Sequence, residues 1–182
     1  MRRSRRIVVL CHCLLNANVK VHPLATHAGA LELILKRFAA DGVGLFQLPC
    51  PETSFLGMTR WGMTREQYDH PAFRRHCRRI LEPCVDQLEA LHRDGCAMAG
   101  LVGVDGSPSC GMFRTCTGYR GGEISAGSTD VPGQVEALAE APGHGVFMQE
   151  LLAMLDERSL VLPLMAVDEE DPANLKTSEG ER

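Results

Sequence analysis

The sequence predicts an α/β protein of three layers: a doubly wound, mainly parallel sheet of the Rossmann or flavodoxin-like kind, with long loops at the carboxyl ends of its strands. Three observations predict it. Four short aliphatic runs, Ile7 to Leu10, Val43 to Leu48, Ala97 to Val104 and Leu160 to Val167, have the length and branched content of buried strands. Between them lie segments whose apolar residues recur at helical spacing. The alternation runs through a chain of 182 residues, the size of one ordinary domain. Strands that alternate with helices are joined most simply as parallel neighbours through right-handed crossovers, with helices on both faces.

In chain order, a basic start (Arg2, Arg3, Arg5, Arg6) reads as a solvated terminus ahead of the first strand. It imitates a secretory signal, but His12, Asn16 and Asn18 interrupt the apolar run and no small-residue cleavage site follows, so a cytoplasmic protein is expected. Leu24 to Ala40 reads as a helix with Leu31, Ile34, Leu35 and Phe38 on one face. After the second strand, Pro51 to Thr64 is irregular. Arg65 to Arg93 is helical, with Ile80, Leu81, Leu88 and Leu91 inward and a break or kink expected at Pro71 and Pro83. Beyond the third strand, Gly111 to His144 is irregular and rich in Gly, Ser and Thr, with room for a short helix over Gln134 to Glu140. Gly143-His144-Gly145 turns the chain into a helix from Val146 to Glu157, carrying Phe147, Leu151, Leu152 and Leu155 inward. The fourth strand closes a single domain at residue 167, and the polar stretch from Asp168 to Arg182 is expected to be a disordered tail.

Composition narrows the classes of function. Apolar residues make up 45% and charged residues 23%, as in ordinary globular proteins. A net charge of −4 argues against a nucleic-acid partner, and no run of about 20 apolar residues exists to span a membrane. Eight cysteines would suit a small secreted disulfide scaffold, yet a chain this long builds its core without them. The thiols are expected to be reduced, and those in polar, glycine-rich surroundings to be ligands or nucleophiles.

The first three strands each lead into a cysteine in a tight local motif: Cys11-His12-Cys13-Leu14-Leu15-Asn16, Pro49-Cys50-Pro51-Glu52 and Ser107-Pro108-Ser109-Cys110-Gly111. In open parallel sheets ligands bind outside the carboxyl ends of the strands. Neighbouring strands lie about 4.8 Å apart, so thiols at their ends can share one metal or cluster. Thiolates bind zinc and iron–sulfur clusters alike, but the cysteine pairs with two to four residues between them that mark zinc sites are absent, and Cys11-His12-Cys13 is too short for one. A cysteine phosphatase would need an arginine six residues after its cysteine, and Cys13, Cys50 and Cys110 are followed there by Val19, Leu56 and Cys116. Two classes remain: an enzyme built on a cluster, and a non-enzymatic domain in which the cysteines hold a structural or sensing metal.

The three motifs, in this order and spacing, resemble the 2-thiouracil desulfurase family over roughly residues 7 to 167. The stretch from Gly57 to Thr64 and Phe73-Arg74-Arg75-His76-Cys77 is similar to a branch of desulfurase-related desulfidases. The resemblance implies a [4Fe–4S] cluster held by Cys13, Cys50 and Cys110, whose fourth iron has no protein ligand and takes the sulfur removed from a small thiolated substrate of the thionucleobase or thioamide class. It casts Glu52 as the nearest carboxylate for proton transfer, with Asp105, Ser107 and Ser109 to orient water or substrate. Arg60 and Trp61 would clamp and stack a planar ring, and His12 would face the substrate. The chain departs from the family pattern at Asn16, at Thr53-Ser54-Phe55-Leu56, and at Leu45-Phe46-Gln47-Leu48, where an acidic residue is expected.

The other cysteines read as packing residues: Cys11 in the core, Cys77, Cys84 and Cys96 on apolar patterns, and Cys116 in a loop. His22, His27, His70, His76, His92 and His144 read as surface or cap residues. Arg74, Arg75, Arg78 and Arg79 read as a solvated helix face paired with acidic neighbours.

Overall fold

The computed structural model describes residues 3–122, 130–169, 171 and 175–178. Part of the Gly/Ser/Thr-rich segment and part of the tail therefore lie outside the described residues, as does Arg2 of the basic start. Strands β1 (Arg6–Leu10), β2 (Gly44–Gln47), β3 (Ala97–Val104) and β6 (Leu164–Val167) pair in parallel, and β7 (Leu175–Thr177) closes one edge antiparallel, giving the order β2-β1-β3-β6-β7. The α/β class expected from the alternation is the one observed. Val8, Val9 and Leu10, consecutive along β1, are all buried, as a strand covered on both faces requires.

The helices follow from the crossovers. The chain leaves β1 for the β2 edge, then returns past β1 to β3 and on to β6, so right-handed connections put α2 (Glu32–Ile34) on one face and α5 (Pro71–Arg93) and α7 (Val146–Glu157) on the other. Helix α5 (Pro71–Arg93) packs on α7 (Val146–Glu157). The basic run of α5 is the polar part of that seam: Arg74 reaches Glu150 at 2.6 Å and Arg78 reaches Glu157 at 2.8 Å.

Where the structure departs from the expected elements, backbone chemistry gives the reason. The first helix shrinks to α2 (Glu32–Ile34), continued by a wider π turn (Leu35–Ala39), because the segment before it is bonded elsewhere. Leu31 N–H donates to Leu14 C=O at 2.8 Å and Ala17 N–H to Gly29 C=O at 2.9 Å, tying that segment to the loop after β1. Pro71 starts a helix at its first position, where its missing N–H costs nothing, and so separates α5 from the short α4 (Arg65–Tyr68); Pro83 lies inside α5 without ending it. β6 begins only at Leu164, since Pro163 has no N–H for the ladder. Helix α6 (Val131–Glu136) begins earlier than expected because Asp130 accepts from Gly133 N–H at 3.0 Å and Pro132 stands in its first turn. It precedes β5 (Ala139–Pro142), which pairs antiparallel with β4 (Arg114–Thr117) in a ribbon that the turn-rich composition concealed, and Cys116 lies on β4. Within the segment expected to be disordered, β7 pairs with β6 from Met165↔Thr177 to Val167↔Leu175. Among the described residues no helix is long and apolar enough to cross a membrane.

Candidate functional site

The strand order reverses direction about β1, and the crevice between the ends of β1 and β3 is where ligands bind in such sheets. A cavity of about 520 Å³ opens there, and Cys13, Cys50 and Cys110 all line it. Each is placed by its own strand. Cys13 sits in α1 (His12–Leu15), one turn long, begun directly from β1, where Cys11 N–H still donates to Val102 C=O of β3 at 3.2 Å. Cys50 is the residue before α3 (Pro51–Leu56), whose first position is Pro51.

Cys110 is held most tightly. Its N–H donates to Ser107 Oγ at 3.0 Å, its C=O accepts from Val104 N–H at 3.0 Å, and Gly111 N–H closes the turn onto Ser107 C=O at 3.0 Å. The backbone packs so closely that a Cβ on Gly145 would lie 2.5 Å from the Ser109 carbonyl, and one on Gly111 would collide with the Arg114 and Ser107 carbonyl oxygens. Glycine stands at both positions because nothing larger fits.

Burial pushes the Cys13 and Cys50 thiols up from their ordinary range, and the neighbouring Cys110 adds to both shifts. Cys110 is raised by a hydrogen bond with Cys11 first and by burial second. Cys11, fully buried beneath the site, is thus a packing residue that also touches a site thiol. Thiols raised in this way are poor nucleophiles by themselves and become thiolates when a cationic centre binds them. All eight cysteines are free. Among the described residues no group of three or more His, Cys, Asp or Glu side chains is gathered closely enough to hold a single metal ion.

A polar relay runs beside them. Ser109 Oγ donates to Glu52 Oε1 at 2.6 Å and stands 3.6 Å from Cys110 Sγ. Glu52 Oε2 accepts from Arg60 Nε at 3.2 Å. Arg60 is only 3% exposed and spends its other donors on Gly57 C=O at 3.1 Å and Val19 C=O at 2.7 Å. It lines the cavity as the clasp that orients Glu52. His12 also lines the cavity; its Nδ1 lies 3.0 Å from Leu48 C=O, an atom that can only accept, so Nδ1 donates there and Nε2 is left outside that bond. Asp105 Oδ1 accepts from Phe113 N–H at 2.9 Å and Arg114 N–H at 3.2 Å, which makes it a brace for the β3–β4 turn within the cavity wall. Ser107 contributes to the same turn. Trp61 is 82% exposed and is not among the lining residues.

Other residues of the site left little mark in the sequence. Lys20 and Glu169 form an ion pair in the cavity wall, one from the loop after β1 and the other from beyond β6. Buried Tyr68 lies against Glu52, and its hydroxyl is raised far above the ordinary range by burial first and by that carboxylate second. His76, expected at the surface, is buried: Arg79 donates to its Nδ1 at 3.0 Å, so Nε2 carries the proton and faces Ser54 Oγ at 2.8 Å, and Ser54 donates to Cys50 C=O at 2.7 Å. His70 is a cap, as expected, accepting from Phe73 N–H at 3.4 Å.

The fold and the site thus define a doubly wound α/β protein with three thiols, one buried and two half-buried, a serine and a carboxylate around one cavity at the switch point of its sheet. Comparison with known families supplies the particular one: the family described as "Putative 2-thiouracil desulfurase" matches residues 6–121. The chain belongs to this family of desulfurases. It is also similar to an uncharacterized protein of Methanocaldococcus jannaschii, 33% identical over 112 residues, which cover 62% of this chain and 71% of that protein. No solved structure matches the chain.

Proposed function

We propose that this protein is an iron–sulfur desulfidase that hydrolyses the carbon–sulfur double bond of a small thiolated compound, of the thionucleobase or thioamide class, with release of sulfide. The carrying observation is that Cys13, Cys50 and Cys110, from three separate motifs, line one cavity together with the hydrogen-bonded pair Ser109 and Glu52. The donor set fits a [4Fe–4S] cluster. Thiolates are the ligands that iron–sulfur clusters take, and the three cysteines that line the cavity come from three separate motifs. Cys13, Cys50 and Cys110 would hold it, leaving one iron without a protein ligand. When bound, the cluster supplies a Lewis acid with affinity for sulfur.

The chain's own residues do the rest. Water replaces sulfur at the thiocarbonyl carbon, so C=S and H₂O become C=O and H₂S, and both protons of the water end on sulfur. Ser109 Oγ, bonded to Glu52 and beside Cys110, is placed to pass a proton between water and the carboxylate. Arg60 fixes that carboxylate in place, and His12, held through Nδ1 to Leu48 C=O, lines the same cavity. Asp105 and Ser107 keep the Cys110 turn in register. The acidic chain has no nucleic-acid partner in this reading, and free thiols suit a reducing cytoplasm.

Anaerobic purification followed by iron and sulfide analysis tests the cofactor. Four irons per chain are expected, lost in Cys13→Ser, Cys50→Ser or Cys110→Ser; zinc without acid-labile sulfide would overturn the reading. The reaction is tested by incubating 2-thiouracil with the reconstituted protein and following sulfide and uracil, and silence across a panel of thiocarbonyl compounds would return the site to a sensing or structural role.

A further inference from the structure

The charges around the cavity are unevenly matched. Five carboxylates border it, Glu52, Asp105, Glu140, Asp168 and Glu169, against two long cationic side chains, Lys20 and Arg60. Both cations are already engaged. Arg60 bonds Glu52 at 3.2 Å and two backbone carbonyls, and Lys20 meets Glu169 in a pair whose side chains are 11% and 17% exposed. Two more cations stand behind the wall. Arg114 of β4 meets Glu140 and reaches Asp168 at 2.7 Å, and Lys176 of β7 reaches the same Asp168 oxygen at 3.3 Å. Asp105 Oδ2 lies farther from both, at 3.6 Å and 3.9 Å. Glu140 turns toward the cavity wall, since a Cβ on Gly106 would lie 2.6 Å from its Oε1. No Lys or Arg occurs between Arg120 and Arg158, so the stretch between them brings acidic residues and no positive charge.

An anionic group on a ligand is held by arginine, lysine or converging N–H donors. In this cavity it would have to draw a cation away from a carboxylate, and that carboxylate would be left unpaired beside it. Four cations already serve five carboxylates, so the exchange brings like charges together. An uncharged ligand disturbs none of these pairs.

We propose that the cavity selects uncharged thiocarbonyl compounds and turns away anionic ones, so that its substrate is a neutral thiobase or thioamide without a phosphate or carboxylate. This rests on the desulfidase reading for the thiocarbonyl, whereas the selection by charge is a property of the wall. Discrimination of this kind comes from a repulsive element set against the wrong ligand rather than from an added contact to the right one.

The test uses the cluster-loaded protein and two probes of the same shape and different charge, 2-thiouracil-6-carboxylate and 2-thiouracil-6-carboxamide, with equilibrium dialysis read beside sulfide release. The carboxamide should bind at least about tenfold more tightly in about 0.02 M salt, and the ratio should shrink in about 0.5 M salt, where the charges at the mouth are screened. Glu140→Gln should also shrink the ratio severalfold, because it removes one carboxylate and releases Arg114. The Arg114–Glu140 pair is 35% and 48% exposed, so its loss should leave iron content and melting temperature close to those of the parent. A carboxamide that binds no better than the carboxylate, or a ratio that neither salt nor Glu140→Gln reduces, would overturn the assignment. The two readings fail separately: equal binding and equal sulfide release for both probes removes the selection and leaves the desulfidase, whereas charge-selective binding without sulfide release keeps the selection and removes the desulfidase.

Discussion

The loop after β1 and the loop after β3 each deliver one cysteine to the same cavity, yet they are built in opposite ways. From Ser109 to Met112 every residue is buried, and Cys110 is bonded through both its N–H and its C=O. From His22 to Thr26 every residue is exposed, and the loop is tied back on either side of that stretch, through Ala17, Val19, Lys20, His27 and Leu31. The first loop fixes atoms that must be held to a fraction of an ångström if they are to ligate. The second supplies Lys20, Val21, Leu24 and Thr26 as an outer wall of the cavity, on a surface loop of the kind that tolerates adjustment. The cavity thus has a stiff, closely packed side and a pliant, exposed one.

Removing the proton relay at the stiff side should have the largest effect. Glu52→Gln keeps a bond to Ser109 and to Arg60 in shape but cannot take a proton, so turnover should fall by on the order of a hundredfold with iron content unchanged. Ser109→Ala should fall to a similar level, and the double variant no further, since the two act through one bond. Unchanged turnover in Glu52→Gln would take both residues out of the mechanism.

Two glycines sharpen the contrast directly. Gly111→Ala would drive a methyl group into two backbone carbonyl oxygens, which cannot move without opening the Cys110 turn, so a loss of about 1–3 kcal/mol in stability is expected together with lower iron retention. Gly29→Ala, in the loop after β1, meets nothing within 4 Å and should be neutral in both respects, within about 0.5 kcal/mol. Denaturant midpoints and iron analysis measure the pair, and equal responses would mean that the two loops do not differ as described.

The same division governs what could be read from the sequence. The stiff side was legible because local chemistry specifies it: an aliphatic strand, then a cysteine among Pro, Gly and Ser, repeated three times. Glu52 and Ser109 stood within two residues of those cysteines. The pliant side was not, because it is made by long-range pairing. Nothing near Lys20 or Glu169 in sequence indicates that 149 residues apart they form an ion pair. The polar composition around Leu175–Thr177 concealed a strand whose partner, β6, supplies the order that its own residues do not. Trp61 shows the reverse error: adjacency to Arg60 suggested a shared role, but the chain turns there, burying one side chain and exposing the other. His76 was misjudged because its helix neighbours are arginines, and only the packing of α3 on α5 buries it.

His76 offers the smallest and most selective prediction. It joins Arg79 to Ser54 and, through Ser54, to the Cys50 carbonyl, so it supports the stiff side from behind. Burial first, and the neighbouring Arg79 charge second, hold its pKa below the ordinary 6.5. The folded chain therefore refuses a proton that the unfolded chain accepts. The contribution of the neutral ring is fully present above about pH 6.5 and is lost progressively as pH falls below it toward the lowered value, so stability falls on acidification through that window. Removing the titration in His76→Gln should flatten this part of the profile while keeping a polar side chain toward Ser54. The melting temperature of the parent should thus drop more than that of the variant between about pH 7.5 and about pH 5.5. Parallel slopes would show that the histidine titrates alike in the folded and unfolded chain, so that its burial lends no pH-dependent stability.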